Sequence, residues 1–237
     1  MAIGPETRVF TRTVDQAAID QGLRAYMLRV YNYMASGLAL TGIVAYLAAV
    51  SGVYASIAAT PLIWVVILAP LGFVFFLSAR IHKLSVTGAQ TTFWLFAAVM
   101  GLSLASIFLH FTGESIARVF FITGGTFAAM SLYGYTTKSD LSKWGSFLVM
   151  GLIGVMIASV VNLFVASSAL QFAISIIGVL VFVGLTAYDT QQIKEMYLES
   201  DDAGSMTKKS ILGALRLYLD FINMFMLLLQ LFGARRD

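Results

Sequence analysis

The stretch Ser210–Phe232, SILGALRLYLDFINMFMLLLQLF, decides the fold, because it is long and apolar enough to cross a bilayer yet carries Arg216 and Asp220 inside. Each ionisable group near the centre of a membrane helix costs about 2.5–3.5 kcal/mol on insertion scales. At about 100° per residue, Arg216, Asp220, Asn223, Leu227 and Gln230 share one narrow face of that helix. Such a face cannot look at acyl chains; it needs protein or water. The other apolar segments are therefore expected to gather around this helix.

The rest of the chain supplies them. Of 237 residues, 59% are hydrophobic and 11% charged. A soluble domain of this size carries about 25% charged residues, so the composition implies an all-α, polytopic membrane bundle with little mass outside the bilayer. A membrane barrel would instead alternate polar and apolar residues in segments of about ten. Cysteine is absent, which removes disulfides, thiolate metal sites and a cysteine nucleophile. His82 and His110 are too far apart in sequence to form a local metal motif.

Working outward, apolar runs at Val30–Val50, Leu62–Ala79, Ala89–His110, Val119–Tyr135, Gly145–Ala166 and Leu170–Thr190 precede the last stretch, giving seven expected spans. Residues 1–29 read as a polar cytoplasmic segment, with no cleaved leader and with Val14–Arg29 as a short amphipathic surface helix; residues 30–237 read as the membrane domain. Pro70 and Gly72 predict a kink in the second span. The polar run Gln191–Lys209 is expected to be a loop. Small residues such as Ala35, Ala39, Gly151 and Gly154 permit close helix packing.

Lysine and arginine give the orientation. With the N-terminus inside, the inner segments hold eleven (Arg8, Arg12, Arg24, Arg29, Arg80, Lys83, Lys138, Lys143, Lys194, Lys208, Lys209) and the outer segments three (Arg118, Arg235, Arg236). The same scatter argues against nucleic acid as a partner. A seventh segment that enters and returns would also satisfy the charge rule.

Two more polar groups stand out. Asp189, in GLTAYDTQQIKEMY, lies near the inner end of the sixth span between Thr186 and Thr190. It is either a helix-end carboxylate reaching headgroup water or a partner for Asp220. The two can meet only if the sixth helix continues past Thr190 or the last begins before Ser210, since Asp220 lies roughly 15 Å inward from Ser210 at about 1.5 Å per residue. Arg80, in FFLSARIHKLS, is either an ordinary interfacial anchor or a counter-ion for the carboxylates. Arg216, four residues before Asp220, competes for that role as a same-helix pair.

GYTTKSDLS (Gly134–Ser142), AYDTQQIK (Ala187–Lys194) and LYLDFINMF (Leu217–Phe225), with LRAYMLRVYNYM (Leu23–Met34), resemble the Bax inhibitor-1 or transmembrane Bax inhibitor motif family in its bacterial form. The resemblance implies seven helices with the last wrapped by the other six. It also implies a pH-sensitive calcium leak whose sensor is an aspartate pair, here Asp189 and Asp220, with Arg80 as a latch on the first. Calcium would be a permeant ion held weakly by the two aspartates, with Asn223 nearby, and no cofactor is implied. A bacterial inner membrane is the expected location, with lipid and other membrane proteins as further partners.

Two rival functions follow from the same residues. A non-conducting regulator would bind a membrane-anchored protease or a cell-death or stress factor. An intramembrane aspartyl protease would also place two aspartates in the bilayer, but it needs a GxGD motif where this chain has Tyr218-Leu219-Asp220, and no PAL motif follows. The chain is therefore expected not to be an enzyme.

Overall fold

A computed structural model describes residues 5–236, with side-chain surroundings described from Asp20 onward. Arg8 and Arg12, counted in the charge balance, lie outside the residues whose side chains are described. The chain is an all-α, polytopic helical bundle. Its helices are α1 (Pro5–Val50), α2 (Val53–Ala58), α3 (Leu62–Arg80), α4 (Val86–Leu104), α5 (Ser106–His110), α6 (Gly113–Thr136), α7 (Ser142–Val165), α8 (Ser168–Glu195) and α9 (Ala203–Phe232), with a 3-10 turn at Ile81–Lys83. Among the described residues, seven helical stretches are long and apolar enough to cross a membrane, α4 and α5 together forming the third.

Capping residues set where the helices begin. Ser85, Thr112, Ser167 and Asp202 each accept a hydrogen bond from a backbone N–H in the first turn of α4, α6, α8 and α9. At the far end of α1, Gly52 takes φ 76°, a left-handed conformation that glycine adopts without strain, and turns the chain into α2.

Two expectations change at these boundaries. The proposed surface helix Val14–Arg29 is not separate: α1 is unbroken from Pro5 to Val50. Leu23, Tyr26 and Met27 of its described part pack into the core. Likewise the polar run Gln191–Lys209 is mostly helix, and only Met196–Asp202 connects α8 to α9. Lys209 staples that connection through an ion pair to Asp201 at 2.6 Å and a hydrogen bond to the Met196 carbonyl at 3.0 Å. Pro70 sits within continuous α3, its ring buried.

The last helix is the central one. Some 67% of its most apolar window is buried, against 39% or less in any other span. It packs chiefly on α8, α1 and α6, and to a lesser extent on α4 and α3. α7 packs mainly on α8 and turns Phe147, Met150, Ile157, Leu163 and Phe164 outward, a surface suited to acyl chains. α9 also runs the full length of the bundle rather than returning. Beyond Phe232 the chain pairs with the turn between the third and fourth spans: Thr112 N–H donates to the Ala234 carbonyl at 3.0 Å and Arg236 N–H to the His110 carbonyl at 2.9 Å. A buried hydroxyl, Ser115 Oγ, accepts from Ala234 N–H at 2.8 Å.

Candidate functional site: a carboxylate pair between the last two helices

The meeting of Asp189 and Asp220 depends on where α8 and α9 end and begin. Both conditions stated from the sequence hold: α8 continues to Glu195, and α9 starts at Ala203. The two carboxyl groups lie within hydrogen-bonding reach of each other across the α8–α9 interface. Asp220 is buried, and its Oδ2 has no hydrogen-bond partner among the described residues. Arg216, one turn before Asp220 on α9, lies within charge–charge range of both carboxyls. Arg80 and Arg216 are both exposed, and neither makes an ion pair among the described residues.

The motifs singled out in the sequence explain how α8 is held for this meeting. Gln191 bridges the α6–α7 turn with both ends of its amide. Its Nε2 donates to the Ser139 carbonyl at 2.9 Å, and its Oε1 accepts from Leu141 N–H at 2.8 Å. Lys194 Nζ donates to the Tyr135 carbonyl at 2.9 Å and sits 5.3 Å from the centre of that tyrosine's ring. Ser131 and Thr190 share a buried hydrogen bond of 3.2 Å. Thus GYTTKSDLS and AYDTQQIK form one clamp around the inner end of α8. Thr186 and Thr190, which flank Asp189, send their hydroxyl protons back to the Phe182 and Thr186 carbonyls of their own helix rather than to the carboxylate.

The polar face of α9 is not enclosed. Arg216, Asn223 and Gln230 are exposed along a strip bounded on one side by α8, where Leu227 packs on Gly178. On the other side, Leu212 lies beside Ile81 and His82, at the end of α3. α3 and α8 do not pack together over this strip. The wrapping expected around the last helix is therefore complete on its apolar side and open on its polar one, as an aqueous crevice would require. Asn223 Nδ2 donates to the Leu219 carbonyl at 2.8 Å, which leaves its Oδ1 turned to the open side.

Around Gln230, a polar cluster whose other members were not singled out from the sequence closes the far end of the strip. Gln171 of α8 donates to Gln230 Oε1, the Ser175 hydroxyl lies 3.2 Å from the same oxygen, and Asn162 of α7 donates to Gln171 Oε1 at 3.1 Å. The signal was present: Gln171 and Ser175 are four residues apart in an apolar span, hence on one face. Among the described residues no group of three or more His, Asp or Glu side chains could hold a metal ion. Two carboxylates supply at most four of the six to eight oxygens a calcium ion takes, so the rest of its shell would fall to carbonyls, amide oxygens or water.

The family described as "Inhibitor of apoptosis-promoting Bax1" matches this chain over residues 23–237. A Rickettsia prowazekii protein is 47% identical over 232 residues, spanning 98% of each chain. The inner membrane protein YbhL of Escherichia coli is 50% identical over 219 residues, 91% of this chain and 94% of its own. A Caulobacter vibrioides protein is 43% identical over 233 residues, 93% and 92% of the two chains. With seven spanning helices and a match over nearly its whole length, this chain belongs to the Bax inhibitor family of integral multi-pass membrane proteins.

Proposed function

We propose that this protein is a pH-sensitive calcium leak channel in which Asp189 and Asp220 form the sensor. The observation that supports it is the meeting of two carboxyl groups from different helices at the edge of an open polar strip, one of them with an oxygen that no protein donor reaches. Two carboxylates so placed cannot both ionise cheaply, so one proton is shared and the pair loses its protons in two separated steps. Raising the pH removes the shared proton. The dianionic pair then takes a cation, either the nearby Arg216 or a passing calcium ion. Lowering the pH restores the proton and releases the cation. A two-carboxylate site binds weakly, which suits passage rather than storage.

The path runs along the exposed face of α9, from the carboxyl pair past Asn223 to Gln230. The pair itself neighbours Arg216, while Arg80 stands at the α3 end of the same open seam. In this reading Arg216 is the counter-ion of the structure described, and Arg80 the latch that engages Asp189 when α3 closes on α8. The protein lies in a bacterial inner membrane with its N-terminus in the cytoplasm, a placement supported by the eleven-to-three charge balance and by the membrane named for its Escherichia coli relative.

The test is calcium-dye flux from liposomes across a pH series. Asp189→Asn and Asp220→Asn should each reduce the flux and flatten its pH dependence. Arg216→Gln and Arg80→Gln should each keep the flux but shift its pH midpoint. Flux and pH profile that survive both aspartate substitutions unchanged would end the proposal.

A further inference from the structure

A second feature lies between α1 and α6, away from the carboxyl pair. The two helices barely touch, and the seam between them is an apolar groove of about 620 Å3. Leu28 and Leu38 of α1 and Gly124 and Ala128 of α6 line its walls, and Phe221 of α9 forms its floor. The small residues on α6 leave the space: a Cβ on Gly124 would meet nothing within 4 Å.

One end differs in chemistry. Arg24 borders the groove there, exposed and making no ion pair with another described residue, Asp20 one turn earlier included. Tyr135 faces the same end, backed by the Lys194 ammonium. No carboxylate lines the groove.

We propose that this groove binds an anionic phospholipid, one acyl chain lying between α1 and α6 and the headgroup phosphate held by Arg24. Length supports the assignment. From Arg24 to Leu38 is fourteen residues, about 21 Å at 1.5 Å per residue. One leaflet offers about 15 Å of hydrocarbon, half of a core of about 30 Å, plus its headgroup layer. A trough of that depth, mostly apolar along its length and cationic only at the interfacial end, repeats the layout of a phospholipid. Guanidinium presents a planar fork that matches a phosphate's oxygens. A zwitterionic headgroup would bring its own cation beside Arg24 and Lys194, so the site prefers a headgroup of net negative charge. Because Phe221 adjoins Asp220, the bound chain also touches the helix that carries the carboxyl pair.

The chain contains no cysteine, so Ala128→Cys places one fluorescent label in the groove of the full protein. Vesicles of phosphatidylcholine are doped with a small fraction of chain-spin-labelled phosphatidylglycerol or, in parallel, spin-labelled phosphatidylcholine, and quenching is read. Phosphatidylglycerol should quench severalfold more strongly. Arg24→Gln should bring the two lipids together, and Arg24→Lys should keep most of the preference. Arg29→Gln should leave the preference intact, since Arg29 Nη1 is already engaged with Thr207 Oγ1 at 3.2 Å on another side of α1. Equal quenching by both lipids before substitution overturns the proposal. So does a preference that survives Arg24→Gln, or one that Arg29→Gln removes equally, which would mark general surface attraction.

Discussion

Gly134 of α6 rests against the carbonyl group of Ala187 in α8, so closely that a Cβ at position 134 would collide with it. Ala187 precedes Asp189 by two residues, so this backbone contact sets the height and rotation of the turn that carries the carboxylate. Overpacking such a contact costs about 1–3 kcal/mol, while replacing glycine by alanine within a helix returns about 1 kcal/mol. Gly134→Ala should therefore be modestly destabilising and Gly134→Val clearly so. Gly125→Ala, whose Cβ would enter open space, should be neutral or slightly stabilising. Thermal unfolding in detergent ranks the three, and equal midpoints for Gly134→Ala and Gly125→Ala would remove the contact from the account.

Thr41 and Tyr218 form a buried relay that fixes α9 against α1 and α4. The Thr41 hydroxyl donates to the Ala97 carbonyl at 2.8 Å, so the Tyr218 hydroxyl, 2.6 Å away, is the donor of the second bond. Phe96 packs edge-on against the same tyrosine, with ring centres 5.1 Å apart. Removing Tyr218's hydroxyl leaves Thr41 with its own bond and should cost about 1 kcal/mol or less. Removing Thr41's oxygen strands a buried phenol, at about 1–3 kcal/mol. Thr41→Val should thus unfold at a lower temperature than Tyr218→Phe, with the double variant no worse than Thr41→Val alone. The reverse order would mean that the phenol has another partner.

Outside the membrane, Asp202 ties the start of α9 to pH. Its carboxyl is held below the usual aspartate range, first by its side-chain hydrogen bond with Ser205, then by the backbone N–H groups of Ser205 and Gly204. A depressed folded-state pKa means that the carboxylate's contribution is fully present above the unfolded value, about 3.9, and is lost as pH falls through the lower folded value. The difference in unfolding temperature between the unsubstituted protein and Asp202→Ala should therefore be constant near neutrality and shrink in strong acid. A difference that grows on acidification would contradict the cap.

Much of this arrangement was legible in the sequence because insertion into lipid makes few demands, and all are compositional. Seven apolar runs, a polar face on the last and a second aspartate near the end of the sixth were enough to place α9 at the centre and to nominate Asp189 and Asp220. What hydropathy could not see was where helices start. It marks where the bilayer ends, whereas the helix begins at its capping residue, and Asp202 lies outside the apolar run it serves. The seven residues from Ala203 to Lys209 therefore read as loop, and the same error detached Val14–Arg29 from α1. The counter-ion was not legible for a related reason: Arg80 and Arg216 both suit the chemistry, and their distance from the pair depends on how α8 and α3 pack on α9. Tail pairing between Arg235 and Phe111 has no local signature, so whether the last segment crosses could not be read from charge alone.

Leu227 gives the sharpest test of where ions would travel. It is the one apolar residue on the face that joins Asn223 to Gln230, and it packs on Gly178 of α8 in the middle of that stretch. From Asp220 to Gln230 is ten residues, about 15 Å along the helix, so an ion that follows the α8 side of this face between the carboxyl pair and the outer amide cluster passes this side chain. Apolar constrictions hold a path closed by excluding water. If the proposed route is correct, Leu227→Asn should raise calcium flux severalfold at every pH while leaving the pH midpoint unchanged, because the sensing carboxyls are untouched. Leu227→Ala should fall between, widening the gap without wetting it. Combining Leu227→Asn with Asp220→Asn separates the two roles: the double variant should leak without regard to pH. A Leu227→Asn protein that conducts no faster than the unsubstituted one, while Asp220→Asn still abolishes flux, would show that ions leave the pair by some face other than this one.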